Sequence, residues 1–366
     1  MGWSVQQTLD SGYIVVGGTE SYGAGESDIY LIKTDANGDT LWTTTYGGAY
    51  DDWGNSVQRT SDGGYIIGGY TESFGAGNGD LYLIKTDSLG DTLWTRTYGG
   101  TGWDMGWSVQ QTLDSGYIVA GRIWSVGVSS NVYLIKTDAS GDSLWSKIYG
   151  GISSQEIGFS VQQTSDSGYI VAGVTTSGPG TTYGYLIKTY ANGDTLWTKT
   201  YGEGGDYDWL ISVQETSDSG YIIAGFTDSQ GAGSSDVWLI KTDANGDTLW
   251  TKTYGDTLLD VGYSVQQTSD GGYIIAGGTE SYGAGGSDVW LLKIAPEPGI
   301  EEDKVESVKS SNFGATIFSG PLLLPEGKRY KVYDVTGRTV APDKIKPGIY
   351  FIEIDGKITK KVVKVR

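Results

Sequence analysis

The chain has 366 residues, 25 Lys+Arg against 44 Asp+Glu for a net charge of −19, with 59 Gly, 13 Trp, 26 Tyr and neither Cys nor His. That composition removes disulfides, thiolate nucleophiles, imidazole bases and Cys- or His-bound metals. The acidic balance speaks against a nucleic-acid partner, and the sequence offers no 18-residue apolar run to span a membrane as a helix.

From the first residues onward a repeat sets the organisation. Ser-Val-Gln begins at Ser4, Ser56, Ser108, Ser160, Ser212 and Ser264, always 52 residues apart. Each copy reads as four strands. Ser-Val-Gln-Gln-Thr alternates apolar and polar residues, as a half-exposed strand does. A tight Ser-Asp-Gly-Gly or Ser-Asp-Ser-Gly turn leads to the continuous apolar run Gly-Tyr-Ile-Ile-Ala-Gly, which fits a strand covered on both faces. The third strand is Asp-Val-Tyr-Leu-Ile-Lys-Thr. Asp-Ala-Asn-Gly-Asp (35–39) then supplies a hairpin signal, and Thr-Leu-Trp-Thr-Lys-Thr-Tyr is the fourth strand. The series of strand tryptophans, Trp42, Trp94, Trp145, Trp197 and Trp250, has no sixth member. Radial repetition of such units predicts an all-β protein: a β-propeller of about six four-stranded blades over 1–294, the last one incomplete. An elongated β-solenoid is the competing architecture.

The motif D-G-x-I-x-x-G followed by K-x-D-x-x-G-D-x-x-W resembles secreted bacterial propeller repeats of the Delta-60 type. The resemblance implies the fold; such scaffolds serve many tasks.

Residues 1–15 are identical to 105–119, and Met1 and Met105 are the only methionines. The expectation is that residue 1 lies inside a loop between repeats of a longer protein, whose upstream Leu-Trp strand would complete the last blade. A genuine start is the alternative.

The loops between second and third strands, together with those between blades, should share one face and carry the binding residues. The aromatic candidates there are Tyr22, Trp53, Phe74, Trp103, Trp124, Tyr207, Trp209 and Tyr282. Beside Asp, Asn and Ser they suit sugar rings or peptide segments; packing beneath their own glycine-rich loops is the other reading. The strand tryptophans are assigned to inter-blade packing. The strand lysines 33, 85, 136, 188, 241 and 293 are expected to pair with Asp28, Asp80, Asp236 or Asp288. Calcium at Asp35–Asp39 is disfavoured, because the segment is too short for a 12-residue loop. No cofactor and no catalytic residue is assigned, since the acids recur in every copy.

Ala295-Pro-Glu-Pro-Gly breaks the repeat, so 295–312 reads as a linker and 313–366 as a small β-sandwich. Residues 1–300 carry 12 basic and 35 acidic side chains, while residues 301–366 carry 13 and 9. Three blocks follow in order: Val332-Tyr-Asp-Val-Thr-Gly-Arg-Thr-Val340, Pro347-Gly-Ile-Tyr-Phe-Ile352 and Lys360-Lys-Val-Val-Lys-Val-Arg366. They resemble the type A C-terminal sorting domain of the type IX secretion system. The resemblance implies that Tyr333, Asp334, Gly337, Arg338, Gly348, Tyr350, Lys360, Lys361 and Arg366 belong to a sorting signal. It also implies the secretion machinery as partner, and release or attachment at the surface of a Gram-negative cell. The expected function is a monomeric, secreted or surface-displayed binding or adhesion module. The alternatives are a secreted carbohydrate-active enzyme of the propeller glycosidase kind and a spacer without ligand.

Overall fold

The computed structural model describes residues 1–366 apart from 125–129, 177–179, 204–206, 284, 297–315, 319–329, 335–337, 347, 355–356 and 365–366. Two compact units are present, Met1–Pro298 and Gly299–Arg366.

The first unit is the β-propeller. Blade 1 is built from strands Gly2–Gln7, Tyr13–Thr19, Asp28–Thr34 and Thr40–Tyr46, each hydrogen-bonded antiparallel to the next. Four further blades repeat this order over 52–98, 105–149, 156–201 and 208–254. Among the described residues blade 6 has three strands, Asp260–Gln267, Tyr273–Thr279 and Asp288–Ile294.

Local chemistry explains the strand order. In the first turn the Asp carboxylate accepts from the Thr hydroxyl two residues before it and from the Gly N–H two residues after it, as with Thr60, Asp62 and Gly64. The residue between Asp and Gly is left-handed, with φ of 66–69° at Ser11, Ser115, Ser167 and Ser219 and 80–88° at Gly63 and Gly271. In the second turn Asp35 Oδ1 accepts from the N–H groups of Asn37 (2.8 Å) and Asp39 (2.9 Å), while Asp35 N–H bonds the Asp39 carbonyl. Each first strand carries a bulge before its Ser-Val-Gln. The invariant glycine of the second strand lies opposite: a Cβ on Gly69 would stand 1.8 Å from the Trp53 carbonyl oxygen, and one on Gly173 would stand 1.9 Å from that of Ile157. Only glycine fits such an approach.

Blades join through apolar faces and a repeated hydrogen-bond pattern. Ile14, Val16, Ile29 and Leu31 of blade 1 pack on Val57, Tyr65, Ile67, Tyr82 and Ile84 of blade 2. Along the innermost strands the Ser Oγ of blades 1 to 5 accepts from a Val N–H of the next blade, as Ser56 does from Val109 at 3.2 Å. The strand tryptophans meet the next blade's tyrosine, with ring centroids 5.7–6.2 Å apart for Trp42–Tyr65, Trp94–Tyr117, Trp145–Tyr169, Trp197–Tyr221 and Trp250–Tyr273. Their expected packing role is what the structure shows.

Between blade 6 and blade 1 these faces are uncovered. Val5 is 63% exposed where Val57 is 5% exposed, and Val289 and Leu291 are 92% and 65% exposed where Leu81 and Leu83 are fully buried.

Among its described residues the second unit contains a mixed four-stranded sheet. Thr316–Phe318 pairs parallel with Lys357–Lys364, which pairs antiparallel with Gly348–Ile354, and that strand with Tyr330–Asp334. Among the described residues Val332, Ile345, Tyr350 and Ile352 pack together as a core cluster. From residue 297 to 312, the expected linker lies outside the described residues.

Candidate functional site

At one end of the propeller the long loops are tied to the connections between blades. Gly79 bridges Trp103, Thr182 bridges Tyr207 and Ser235 bridges Leu259 in parallel fashion. The inter-blade N–H groups of Asp52, Asp104 and Asp260 each donate to the loop carbonyl of the preceding blade at 2.8 Å. Both loop sets thus occupy one face.

The predicted aromatics on that face divide into two groups. Tyr22, Phe74 and Tyr282 are exposed on the rim, leaning on Tyr30, Tyr82 and Trp290 of their own blades at centroid distances of 5.9, 5.8 and 5.2 Å. Tyr207 and Trp124 are also exposed, and the Trp124 N–H donates to Asp104 Oδ1. Residues 125–129 and 177–179 of the candidate loops are outside the described set. Trp103 lies over Gly79. Tyr22, Phe74, Trp124, Tyr207 and Tyr282 are not among the residues lining the cavities described below. Trp53 and Trp209 lie deeper: Trp53 meets Trp3 at 6.4 Å, and Trp209 sits between Phe159 (5.3 Å, stacked) and Phe226 (5.4 Å).

The concave site is the mouth of the axial channel, a cavity of about 560 Å³ lined by Gly2, Trp3, Asn55, Trp107, Phe159, Trp209, Ile211 and Tyr263. Six of these, Trp3, Asn55, Trp107, Phe159, Ile211 and Tyr263, are the residue immediately before each Ser-Val-Gln. Sequence reading passed over them inside an alternating strand. The available signal was variety: six positions in register hold Trp, Asn, Trp, Phe, Ile and Tyr, while the next three residues never change. Trp107 meets Phe159 edge-on at 5.7 Å, and the Phe159 ring continues to Trp209. The indole N–H groups of Trp53, Trp107 and Trp209 are buried without a hydrogen-bond partner among the described residues. Asn55 Nδ2 donates to the Gly106 carbonyl at 2.9 Å, which orients its amide. The channel further in is lined by Val and Gln of the first strands, and Gln58, Gln110, Gln162 and Gln214 accept N–H groups of the next blade.

The expected lysine partners are corrected. Lys33, Lys85, Lys136, Lys188, Lys241 and Lys293 pair with the turn aspartates Asp10, Asp62, Asp114, Asp166, Asp218 and Asp270 at 2.8–2.9 Å. Asp28 and Lys33 sit at opposite ends of one seven-residue strand, roughly 17 Å apart at about 3.3 Å per residue. Burial would raise the Asp114 carboxyl, but hydrogen bonds from Thr112, Lys136 and Gly116 outweigh it and bring it down to about 2.

Asp28, Asp80 and Asp236 instead hold the loops. Asp28 Oδ2 accepts from Ala24 and Gly25 N–H, and Asp80 Oδ2 from Ala76 and Gly77 N–H. Each faces a second buried acid across a glycine. The place where a Gly99 Cβ would stand is 2.3 Å from Asp104 Oδ2 and 2.5 Å from Asp80 Oδ1. At the next junction Asn131 takes the first acid's place, and its amide nitrogen donates to Glu156 Oε2 at 2.8 Å. Burial raises the Asp104 carboxyl above its ordinary range and the Asp80 charge adds to this, against hydrogen bonds from Gly100 and Trp124. These close acid pairs recur at several junctions and are buried, so a substrate at the channel mouth does not meet them.

In the second unit Tyr333 stands opposite Phe351, Asp334 opposite Tyr350, and Gly348 opposite Lys364. Lys360 and Lys361 lie in the last strand, opposite Ile352 and Phe351. The Tyr350 hydroxyl donates to the Lys346 carbonyl, and Arg338 is exposed. Gly337 and Arg366 lie outside the described residues.

No family model and no curated protein matches the chain. Among solved structures it is similar to Sqt1 from Chaetomium thermophilum (12% identity, TM-score 0.44, 76% of this chain and 66% of that one). It is also similar to the Neurospora crassa Pan2 WD40 domain (9% identity, TM-score 0.47, 81% and 80%). A third likeness is to a thermostable family-43 glycoside hydrolase (11% identity, TM-score 0.40, 70% and 95%). Likenesses this distant carry neither ligand nor activity over to this chain.

Proposed function

We propose that the propeller is a glycan-binding module, secreted or displayed at the cell surface, with the ligand seated in the aromatic mouth of the axial channel. The observation that carries this reading is the Trp107–Phe159–Trp209 series of aromatic rings lining one cavity. Flat apolar faces suit a sugar ring, which offers C–H faces to stack, and Asn55 adds an amide to the same lining. The rim aromatics Tyr22, Phe74, Trp124, Tyr207 and Tyr282 would widen contact to a longer chain. The tail's resemblance to a type A sorting domain supports export through the type IX machinery.

Binding is tested on a glycan array with the full chain, followed by calorimetry on any hit. Trp107→Ala and Trp209→Ala should each weaken binding at least tenfold, with Tyr22→Ala changing it less than threefold and circular dichroism confirming the fold. Full binding by both tryptophan variants would remove the channel mouth as the site. Export is tested by expressing the chain with and without residues 299–366 in a bacterium that has the machinery. Equal surface and medium levels would refute the sorting assignment.

A further inference from the structure

Among the described residues blade 6 holds three strands where the other blades hold four. In the five complete blades the third strand pairs with a fourth in a single register, with Lys33 opposite Trp42, Lys85 opposite Trp94, Lys136 opposite Trp145, Lys188 opposite Trp197 and Lys241 opposite Trp250. The fourth strand has a measurable effect on the lysine beneath it. The side chains of Lys33, Lys85, Lys136, Lys188 and Lys241 are 3–6% exposed, and that of Lys293 is 43% exposed.

What receives a fourth strand is nevertheless in place. Asp288–Ile294 reads DVWLLKI where the complete blade 5 reads DVWLIKT. It pairs with the second strand in the same register, Gly277 opposite Trp290 as Gly225 is opposite Trp238. The Lys293–Asp270 ion pair forms at 2.9 Å, as in the other blades. Among the described residues no strand is hydrogen-bonded to the outer edge of 288–294, so its edge N–H and C=O groups form a template for another strand.

We infer that this edge is a strand-acceptor site. Its occupant is an extended segment of a separate polypeptide with the fourth-strand pattern Thr-Leu-Trp-Thr-Lys-Thr-Tyr, antiparallel to Asp288–Ile294. Continuity with five existing interfaces fixes both chemistry and register: the segment's tryptophan falls opposite Lys293 and its lysine opposite Leu291, as Trp250 and Lys252 fall opposite Lys241 and Leu239. The backbone ladder supplies affinity, and the tryptophan supplies selectivity by covering the lysine stem.

The probe is a synthetic peptide of residues 246–255, Gly-Asp-Thr-Leu-Trp-Thr-Lys-Thr-Tyr-Gly, added to the full chain. Calorimetry should give one site. Lysine acylation mapped by mass spectrometry should show Lys293 reacting in the free chain, with the five homologous lysines protected, and its labelling should fall at least fivefold with peptide. A peptide carrying Trp250→Ala should bind about tenfold more weakly, and one carrying Lys252→Pro, which deletes the ladder N–H that would face Leu291 and stiffens the strand, should not bind measurably. The assignment fails if Lys293 is already protected without peptide. It also fails if the peptide does not bind, if a scrambled peptide binds equally, or if binding leaves Lys293 labelling unchanged.

Discussion

Removing a turn aspartate should have very different consequences in blades 2 and 6, although the two turns are the same. Asp62 and Asp270 each accept from a Thr hydroxyl, a Gly N–H and a lysine, and each precedes a left-handed glycine, Gly63 or Gly271. Alanine at either site loses the same turn bonds, so the difference isolates the lysine. Lys85 is 4% exposed, and without Asp62 its ammonium keeps only the Thr86 carbonyl at 2.7 Å. Breaking a fully buried pair costs about 3–5 kcal/mol. The half-exposed carboxylate trims this to about 2–3 kcal/mol, or roughly 4–8 °C in Tm for a unit of this size. Lys293 can turn to water, so Asp270→Ala should shift Tm by less than about 2 °C. The assay is thermal unfolding followed by circular dichroism at pH 7. Burial alone would raise the Asp62 carboxyl, but its bonds from Thr60, Lys85 and Gly64 outweigh burial and hold it below the usual range. Its contribution is therefore complete above the ordinary carboxylate pKa and is lost as pH falls through the lower native value. The gap between wild type and Asp62→Ala should accordingly close in acid. Equal losses in the two variants would show that the turn, and not the lysine's burial, carries the energy.

Two further expectations concern the loop end and the bulge. Asp80→Asn should place an amide donor opposite Asp104, as Asn131 stands opposite Glu156. It should raise stability at pH 7 by about 1 kcal/mol. Because the native Asp104 carboxyl is raised, the wild-type pair is most favourable below the ordinary carboxylate pKa and loses that advantage as pH rises through the native value. The gain in Asp80→Asn should thus vanish toward pH 3. A loss of stability at pH 7, seen in the same melts, would mean that the charged Asp80 acceptor of the Ala76 and Gly77 N–H groups outweighs the repulsion between the two acids. Gly173→Ala would drive a Cβ to 1.9 Å from the Ile157 carbonyl oxygen. It should cost more than about 3 kcal/mol, measured by urea unfolding, and a loss below 1 kcal/mol would show that the bulge yields freely.

Blade architecture was legible because each turn announces itself through local chemistry. Asp62 with its Thr and Gly neighbours, and Asp35 with Asn37 and Gly38, fix their hairpins whatever the tertiary structure does. The tryptophan positions were legible because inter-blade packing demands one residue type at every junction. The lysine partners were misread because residue type was matched without asking at which end of the strand each group lies. Asp28 and Lys33 share a strand but not an end, whereas Asp62 is brought beneath Lys85 by two hairpins. The openness between blade 6 and blade 1 was not legible either. It depends on how far each blade turns about the axis, a sum over packed volumes that no single motif encodes.

The same contrast separates residues that fold the propeller from residues that give it a task. Trp145 lies between blades, edge-on to Tyr169, and the corresponding position is tryptophan in every complete blade. Trp107 lines the channel mouth, with the ring of Phe159 from the next blade edge-on to it, and the corresponding positions hold five residue types. Packing that constrains a site in every copy should register as stability, and a site left free to vary should not. Trp145→Ala should therefore cost about 3 kcal/mol, toward the low end for a large aromatic because its ring is only partly buried. Trp107→Ala should cost about 1 kcal/mol, the worth of its edge-on contact with Phe159, and should lose ligand at the channel mouth. Urea unfolding and glycan titration on the same two variants measure both effects. If Trp107→Ala proved as destabilising as Trp145→Ala, the channel aromatics would be core, and their variety would reflect six different packing solutions and not a surface left open for a ligand.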